Sequence, residues 1–146
     1  MKQITTYSEE ETKKVARQIA KNIENNAVIV LNGELGAGKT KFTEGFLSYF
    51  DLQNEISSPT FTIVNEYRNS KATVYHFDVY RLEDIDEFYA IGGEEYFSKG
   101  ICIIEWGEII EEALPQHYMK IDIKKDEENT EKRIIFIEQK MAPFKN

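Results

Sequence analysis

A three-layer α/β domain built on a mixed parallel and antiparallel sheet is the fold class this 146-residue sequence predicts, and three patterns predict it. Residues 27–31 (AVIVL) and 101–104 (ICII) are unbroken apolar runs rich in β-branched side chains, as expected of parallel strands covered on both faces. Two segments around the first run carry helical periodicity. Near the end, YMKIDIK and KRIIFIEQ alternate apolar with polar residues, which fits an antiparallel pair. No stretch has the composition of a linker, so one domain over residues 1–146 is expected.

Taken in order, the first element is a helix over about 9–24. Ser8 is its N-cap and Glu11 stands three positions on, the capping-box spacing, while Val15, Ile19 and Ile23 fall four apart on one face. The strand at 27–31 follows and runs into the glycine-rich NGELGAGKTKF. A second helix begins at about Gly38, with Phe42, Phe46 and Phe50 at helical spacing and Leu47 beside them. FTIVNEYR (61–68) and ATVYHFDVY (72–80) read as two strands turned by the polar NSK. LEDIDEFYAIGGEEYF reads as short helical turns broken at Gly92 and Gly93. The strand ICIIEW (101–106) leads to an acidic helical turn, GEIIEEAL, that ends before Pro115. DEEN then joins the closing strand pair.

Composition narrows the function classes. Eighteen Lys plus Arg against 26 Asp plus Glu give a formal net charge of -8, which disfavours a broad nucleic-acid face but leaves room for a small basic pocket. One cysteine, Cys102, sits within ICII as a buried, inert thiol, and with two histidines there is no zinc spacing. The amino terminus lacks the apolar core of a signal peptide, and no run approaches the roughly 20 residues of a membrane span. A soluble cytoplasmic protein with no membrane partner is therefore the expectation.

The chemistry concentrates in one loop. Gly33, Gly38, Lys39 and Thr40 fit G-x-x-x-x-G-K-[ST] between a buried strand and a helix, the context a phosphate-binding loop requires. Glycines let backbone N–H groups turn onto phosphate oxygens, and the helix start adds its positive end. Lys39 offers a point charge to β and γ phosphates, and the Thr40 hydroxyl offers a ligand to Mg²⁺. The expected ligand is the triphosphate tail of a nucleotide, with Mg²⁺, cradled by Gly33, Glu34, Leu35, Gly36, Ala37, Gly38, Lys39 and Thr40.

A phosphate loop needs an acidic partner at the end of a neighbouring strand, and Glu105 and Asp78 are the two candidates. Thr60, in SSPTF, stands where a switch threonine would sense the γ-phosphate or its metal, although Ser-Pro-Thr on its own reads as an ordinary loop. His76 shares a strand face with Asp78 and is placed to orient it, or simply to occupy a polar face. Arg81 reaches either phosphate or a carboxylate. Trp106 packs in the core or lines the site, and Glu108, Glu111 and Glu112 form a solvated helix face.

GELGAGKT, SPTFTIV, VYHFDVYRL, IGGEEYF and ICIIEW, in this order and spacing, resemble the bacterial TsaE proteins, also called YjeE, closely over about residues 26–106. The resemblance makes the nucleotide ATP and implies an ATPase required for the N6-threonylcarbamoyladenosine modification of tRNA, acting with the proteins TsaB and TsaD and meeting tRNA only through them. It carries phosphate binding onto Gly36, Gly38 and Lys39, Mg²⁺ ligation onto Thr40 and Glu105, a switch role onto Thr60 and a catalytic or metal-supporting role onto Asp78. It places Trp106 beside the nucleotide and makes Glu11 and Arg133 adenine contacts. The tail QKMAPFKN matches nothing in particular.

Three other readings of the loop stay open at this point. A small-molecule kinase also joins a phosphate loop to a carboxylate, but 146 residues leave little room for an acceptor pocket and lid. A nucleotide-gated binding module would use ATP only to order SSPTF. A GTP switch lacks its guanine-reading N-K-x-D tetrapeptide here.

Overall fold

The apolar run of residues 27–31 becomes β2 (Val28–Gly33), fourth of seven strands in one sheet. The computed structural model describes residues 1–34, 36–53, 63–79 and 82–141. Around β2 are β1 (Lys2–Thr6), α1 (Glu9–Lys21), α2 (Lys39–Tyr49), β3 (Val64–Arg68), β4 (Thr73–Asp78), α3 (Ile85–Ala90), β5 (Ile101–Glu105), β6 (His117–Lys125) and β7 (Arg133–Met141). Two 3₁₀ segments, Gly93–Ser98 and Gly107–Ala113, complete the described elements. No helix among the described residues is long and apolar enough to cross a membrane.

The sheet order is β1-β7-β6-β2-β5-β4-β3. Its centre, β6-β2-β5-β4, is parallel, while β7, β1 and β3 pair antiparallel at the two edges. The mixed sheet is therefore as the alternating segments imply. Both faces are covered. Ile29, Leu31, Ile103 and Ile121 pack with Ala16 and Ala20 of α1 and Phe42 and Phe46 of α2. Val28, Val30, Cys102 and Ile104 pack on the other side with Phe88, Ile110 and Leu114. Phe42 and Phe46 have no exposed surface, and each such burial contributes about 1.5–3 kcal/mol.

α1 departs from its sequence pattern. The residues buried deepest are Thr12, Ala16 and Ala20, while Val15, Ile19 and Ile23 pack half-buried at the edge of the same cluster. Small side chains face inward because the two helices touch. A Cβ placed on Gly45 would stand 2.5 Å from the Lys13 Cα and carbonyl oxygen. The helix also ends at Lys21, earlier than expected, where the Asn22 amide donates to the Gln18 carbonyl at 2.9 Å. β1 carries no sequence signal of its own, since KQITT has one large apolar residue and pairs only at the sheet edge with β7.

Two outcomes follow from this packing. Gly45→Ala gains about 1 kcal/mol of helix propensity but must separate α1 from α2 at a cost of about 1–3 kcal/mol or more, so urea denaturation should show net destabilisation. Burial pushes the Cys102 thiol up to about 12, so a thiol reagent at pH 8 should leave the native protein unmodified and label it fully in denaturant.

Candidate functional site

The site begins where β2 ends. A Cβ on Gly33 would meet the Ile123 carbonyl of β6 at 2.9 Å, so the strand end lies tight against its neighbour before the chain leaves the sheet. The loop then reverses through Gly36 at φ +80° and Gly38 at φ +107°, a region that side-chain-bearing residues rarely enter. The Ala37 N–H donates to the Glu34 carbonyl at 2.9 Å, closing a turn. α2 starts at once, with Gly38 as its N-cap, no side-chain cap and no acidic residue in the first turn. Its free first-turn amides and dipole end favour an anion there.

β4 and β5 bring two carboxylates to the same edge. Asp78 and Glu105 are the last residues of their strands and are direct neighbours in register, with Leu31 of β2 opposite Glu105. Val74, Ile101 and Ile103 belong to the cluster beneath α1 and α2, so by strand alternation His76, Asp78 and Glu105 face the α2 side as well.

Glu105 is held from two directions. His76 Nε2 donates to Glu105 Oε2 at 2.6 Å, and Lys39 Nζ lies 3.4 Å from Glu105 Oε1. Burial raises the Glu105 carboxyl, but the hydrogen bond and charge of His76, with those of Lys39, outweigh it and hold it below its ordinary value of 4.5. Lys39 Nζ also sits 4.2 Å from the centroid of the Trp106 ring. Trp106 turns sharply out of β5 at φ 64°, a strained position for a residue with a side chain, and its ring lies at the site.

A cavity of about 920 Å³ opens above this edge, within the range of small-ligand sites. Glu34, Gly36, Gly38, Lys39 and Thr40 line it from the loop and α2, Asp78, Glu105 and Trp106 from the strand ends. Gly33 does not line it and serves the close approach to β6 instead; Ala37 is fully buried. Glu11 is placed elsewhere. Its N–H donates to Ser8 Oγ at 3.1 Å, the cap half of the capping box, and its carboxylate accepts from the Tyr7 N–H at 3.2 Å, one residue before the cap, while α1 and its cap line the cavity through Ser8, Glu9 and Thr12. Arg133 does reach the cavity, with its guanidinium bonded to the loop backbone. The hydrogen bond from His76 goes to Glu105, where its sequence position had suggested Asp78. Leu35, Thr60 and Arg81 lie outside the described residues, as does the end of the tail. Thr130 and Glu131 also line the cavity, from a charged hairpin turn with no motif to announce them.

Strand, glycine-rich loop and helix at the carboxyl edge of a parallel core define a P-loop NTPase fold. Known proteins narrow the class further. The family described as threonylcarbamoyl adenosine biosynthesis protein TsaE matches residues 6–135. The tRNA threonylcarbamoyladenosine biosynthesis protein TsaE of Bacillus subtilis (strain 168) is 44% identical over 128 residues, covering 86% of this chain and 80% of that protein. The protein of the same name from Haemophilus influenzae is 42% identical over 113 residues, covering 76% and 72%. The crystal structure of Bacillus subtilis YdiB superposes with a TM-score of 0.72 at 38% identity, covering 96% of this chain and 86% of that one. The chain belongs to the TsaE family, as its motifs implied.

Because the Glu105 carboxyl is depressed, its pairing stabilises the fold above its unfolded value and fades as pH falls through the folded one. Glu105→Gln should therefore cost roughly 1–3 kcal/mol at pH 7, and the gap to the parent should close progressively below about pH 4.5, read by urea denaturation across pH.

Proposed function

We propose that this chain is a Mg²⁺-dependent ATPase serving tRNA threonylcarbamoyladenosine biosynthesis, and that it acts on the partner proteins TsaB and TsaD, with tRNA reached only through them. The observation that carries the reading is the phosphate loop itself, with Lys39 and Glu105 facing each other at the mouth of a nucleotide-sized cavity. Family membership supports the pathway, and a net charge of -8 favours a protein partner over direct contact with tRNA.

In this reading Lys39 leaves Glu105 for the β and γ phosphates, and the loop and first-turn amides of α2 take the remaining oxygens. Thr40 and Glu105 would hold Mg²⁺. The donor set suits it: a hydroxyl and carboxylates are hard oxygen ligands, and Mg²⁺ commonly takes one or two protein carboxylates together with phosphate oxygens and water. No cluster of three or more His, Cys, Asp or Glu suited to a self-contained metal site is found among the described residues. Bound there, the metal would neutralise charge developing on the transferred phosphoryl group. Asp78, one strand over from Glu105, would orient the attacking water and accept its proton. His76 keeps the Glu105 carboxylate turned toward the loop. Thr60 is assigned the γ-phosphate switch on its sequence position alone.

Lys39 rests on the sole tryptophan, so saturating Mg²⁺ and ATP should change Trp106 emission as the ammonium moves away. Lys39→Ala should weaken ATP binding by about 100-fold or more and remove Mg²⁺-dependent phosphate release. ATP turnover equal to the parent in that variant would refute the proposal.

A further inference from the structure

The phosphate loop has a conformational problem that its own sequence does not solve. Gly36 and Gly38 both sit at positive φ, and glycines are the residues with the most alternatives to lose on ordering. Something outside the loop has to hold it. Arg133 opens β7, on the face that carries Ile135 and Ile137 against the α1 and α2 side.

Its guanidinium donates four hydrogen bonds among the described residues, all to backbone carbonyls. Nε reaches Ala37 O at 2.9 Å and Nη2 reaches Gly36 O at 3.2 Å, while Nη1 reaches Thr130 O at 2.7 Å and Lys132 O at 2.9 Å. One planar fork thus ties the loop to the β6–β7 turn across nearly a hundred residues of sequence.

We propose that Arg133 is the positioning residue of the phosphate loop: by holding the Gly36 and Ala37 carbonyls from the β7 side, it sets the loop for an anionic group before any ligand arrives. The proposal rests on the nucleotide reading above for its ligand, though not for the clamp itself.

Peptide planarity supplies the consequence. In a trans peptide the C=O and the next N–H point in opposite directions, so a carbonyl of Ala37 fixed toward Arg133 directs the Gly38 N–H away from it. The Ala37 N–H is meanwhile fixed on Glu34. Two consecutive peptide units are therefore pinned by the arginine and closed by a turn. No carboxylate among the described residues forms an ion pair with Arg133, so its guanidinium is committed to the backbone carbonyls rather than to a neighbouring acid. Lysine cannot substitute, because its single ammonium lacks the fork that spans two adjacent carbonyls.

The test compares the full chain with Arg133→Lys and Arg133→Met, two variants that keep the aliphatic stem. Amide hydrogen exchange of the ligand-free proteins should show the segment 33–41 opening about tenfold faster in both variants, with the central strands unchanged. Affinities for ATP, ADP and tripolyphosphate, each with Mg²⁺, should fall by one common factor of about tenfold or more, because all three use the same loop amides. Unchanged loop exchange would overturn the clamp, and so would faster exchange spread evenly over the whole sheet, which marks a general loss of stability. A loss confined to ATP and ADP, with tripolyphosphate spared, would make Arg133 a contact to the base and overturn it. A loss that spares only ADP would make it a γ-phosphate contact and overturn it equally. If the parent binds none of the three, the nucleotide reading fails, and loop exchange alone still decides the clamp.

Discussion

Glu105 faces Lys39 because β2, β5 and β4 run parallel in one register, with Leu31 opposite Glu105 and Glu105 opposite Asp78. Everything at the site hangs on that alignment. Strand side chains alternate between faces, so a slip of one residue in β5 would send Glu105 into the cluster of Val28, Val30 and Phe77 and bring Ile104 beneath the loop. The slip is opposed by both cores at once, since it would also exchange Ile103 for Cys102 and Ile104 between faces that are each fully packed. The apolar parts of the strands thus fix the position of two carboxylates that contribute nothing to the core themselves.

The same alignment creates an electrostatic arrangement with a direction. A carboxylate shielded from water is costly, and here a ring N–H on one oxygen and an ammonium on the other offset that cost. The two partners differ in what they are free to do. His76 is fixed on β4 between buried Tyr75 and Phe77, whereas Lys39 begins a helix at the rim of the cavity and holds its ammonium on a flexible stem. A competing anion can draw Lys39 away while His76 keeps Glu105 oriented. In the ligand-free protein the same ammonium also rests on the Trp106 ring, so both contacts are given up together when Lys39 moves.

How much of this was legible in the sequence depends on range. β2, the loop, α2 and β5 are each signalled by residues within a few positions of one another, and Lys39, Thr40, Asp78 and Glu105 all reach the cavity that local pattern assigned them to. β1 escaped because an edge strand needs only backbone partners, and KQITT has no alternation to show. α1 showed its larger apolar residues, although contact with Gly45 places the small ones innermost. His76 shares a strand face with two acids, Asp78 on its own strand and Glu105 on the next, and periodicity cannot say which it will bond. Arg133 is the longest reach of all: nothing near KRIIFIEQ announces that its guanidinium binds carbonyls 96 and 97 positions earlier.

Lysines and carboxylates line the cavity together, and how they pair sets how the site responds to charge. Lys39 is paired with Glu105, and Lys41 with Glu44 at 3.4 Å and Glu9 at 3.9 Å. The Lys41 pairs are partly exposed, with Glu9 the most open to solvent, and pairs of this kind are worth at most about 1 kcal/mol each, so they yield readily to an incoming anion. The Lys39 pair is more enclosed, and its exchange for a phosphate oxygen preserves an ion pair on the lysine while leaving Glu105 in need of a new cation. Under the proposed function, a metal ion accompanying the phosphates would supply that cation. Anion and metal would then be coupled through one carboxylate: each would make the other easier to accept, and neither alone would restore the balance that Lys39 and Glu105 already give each other.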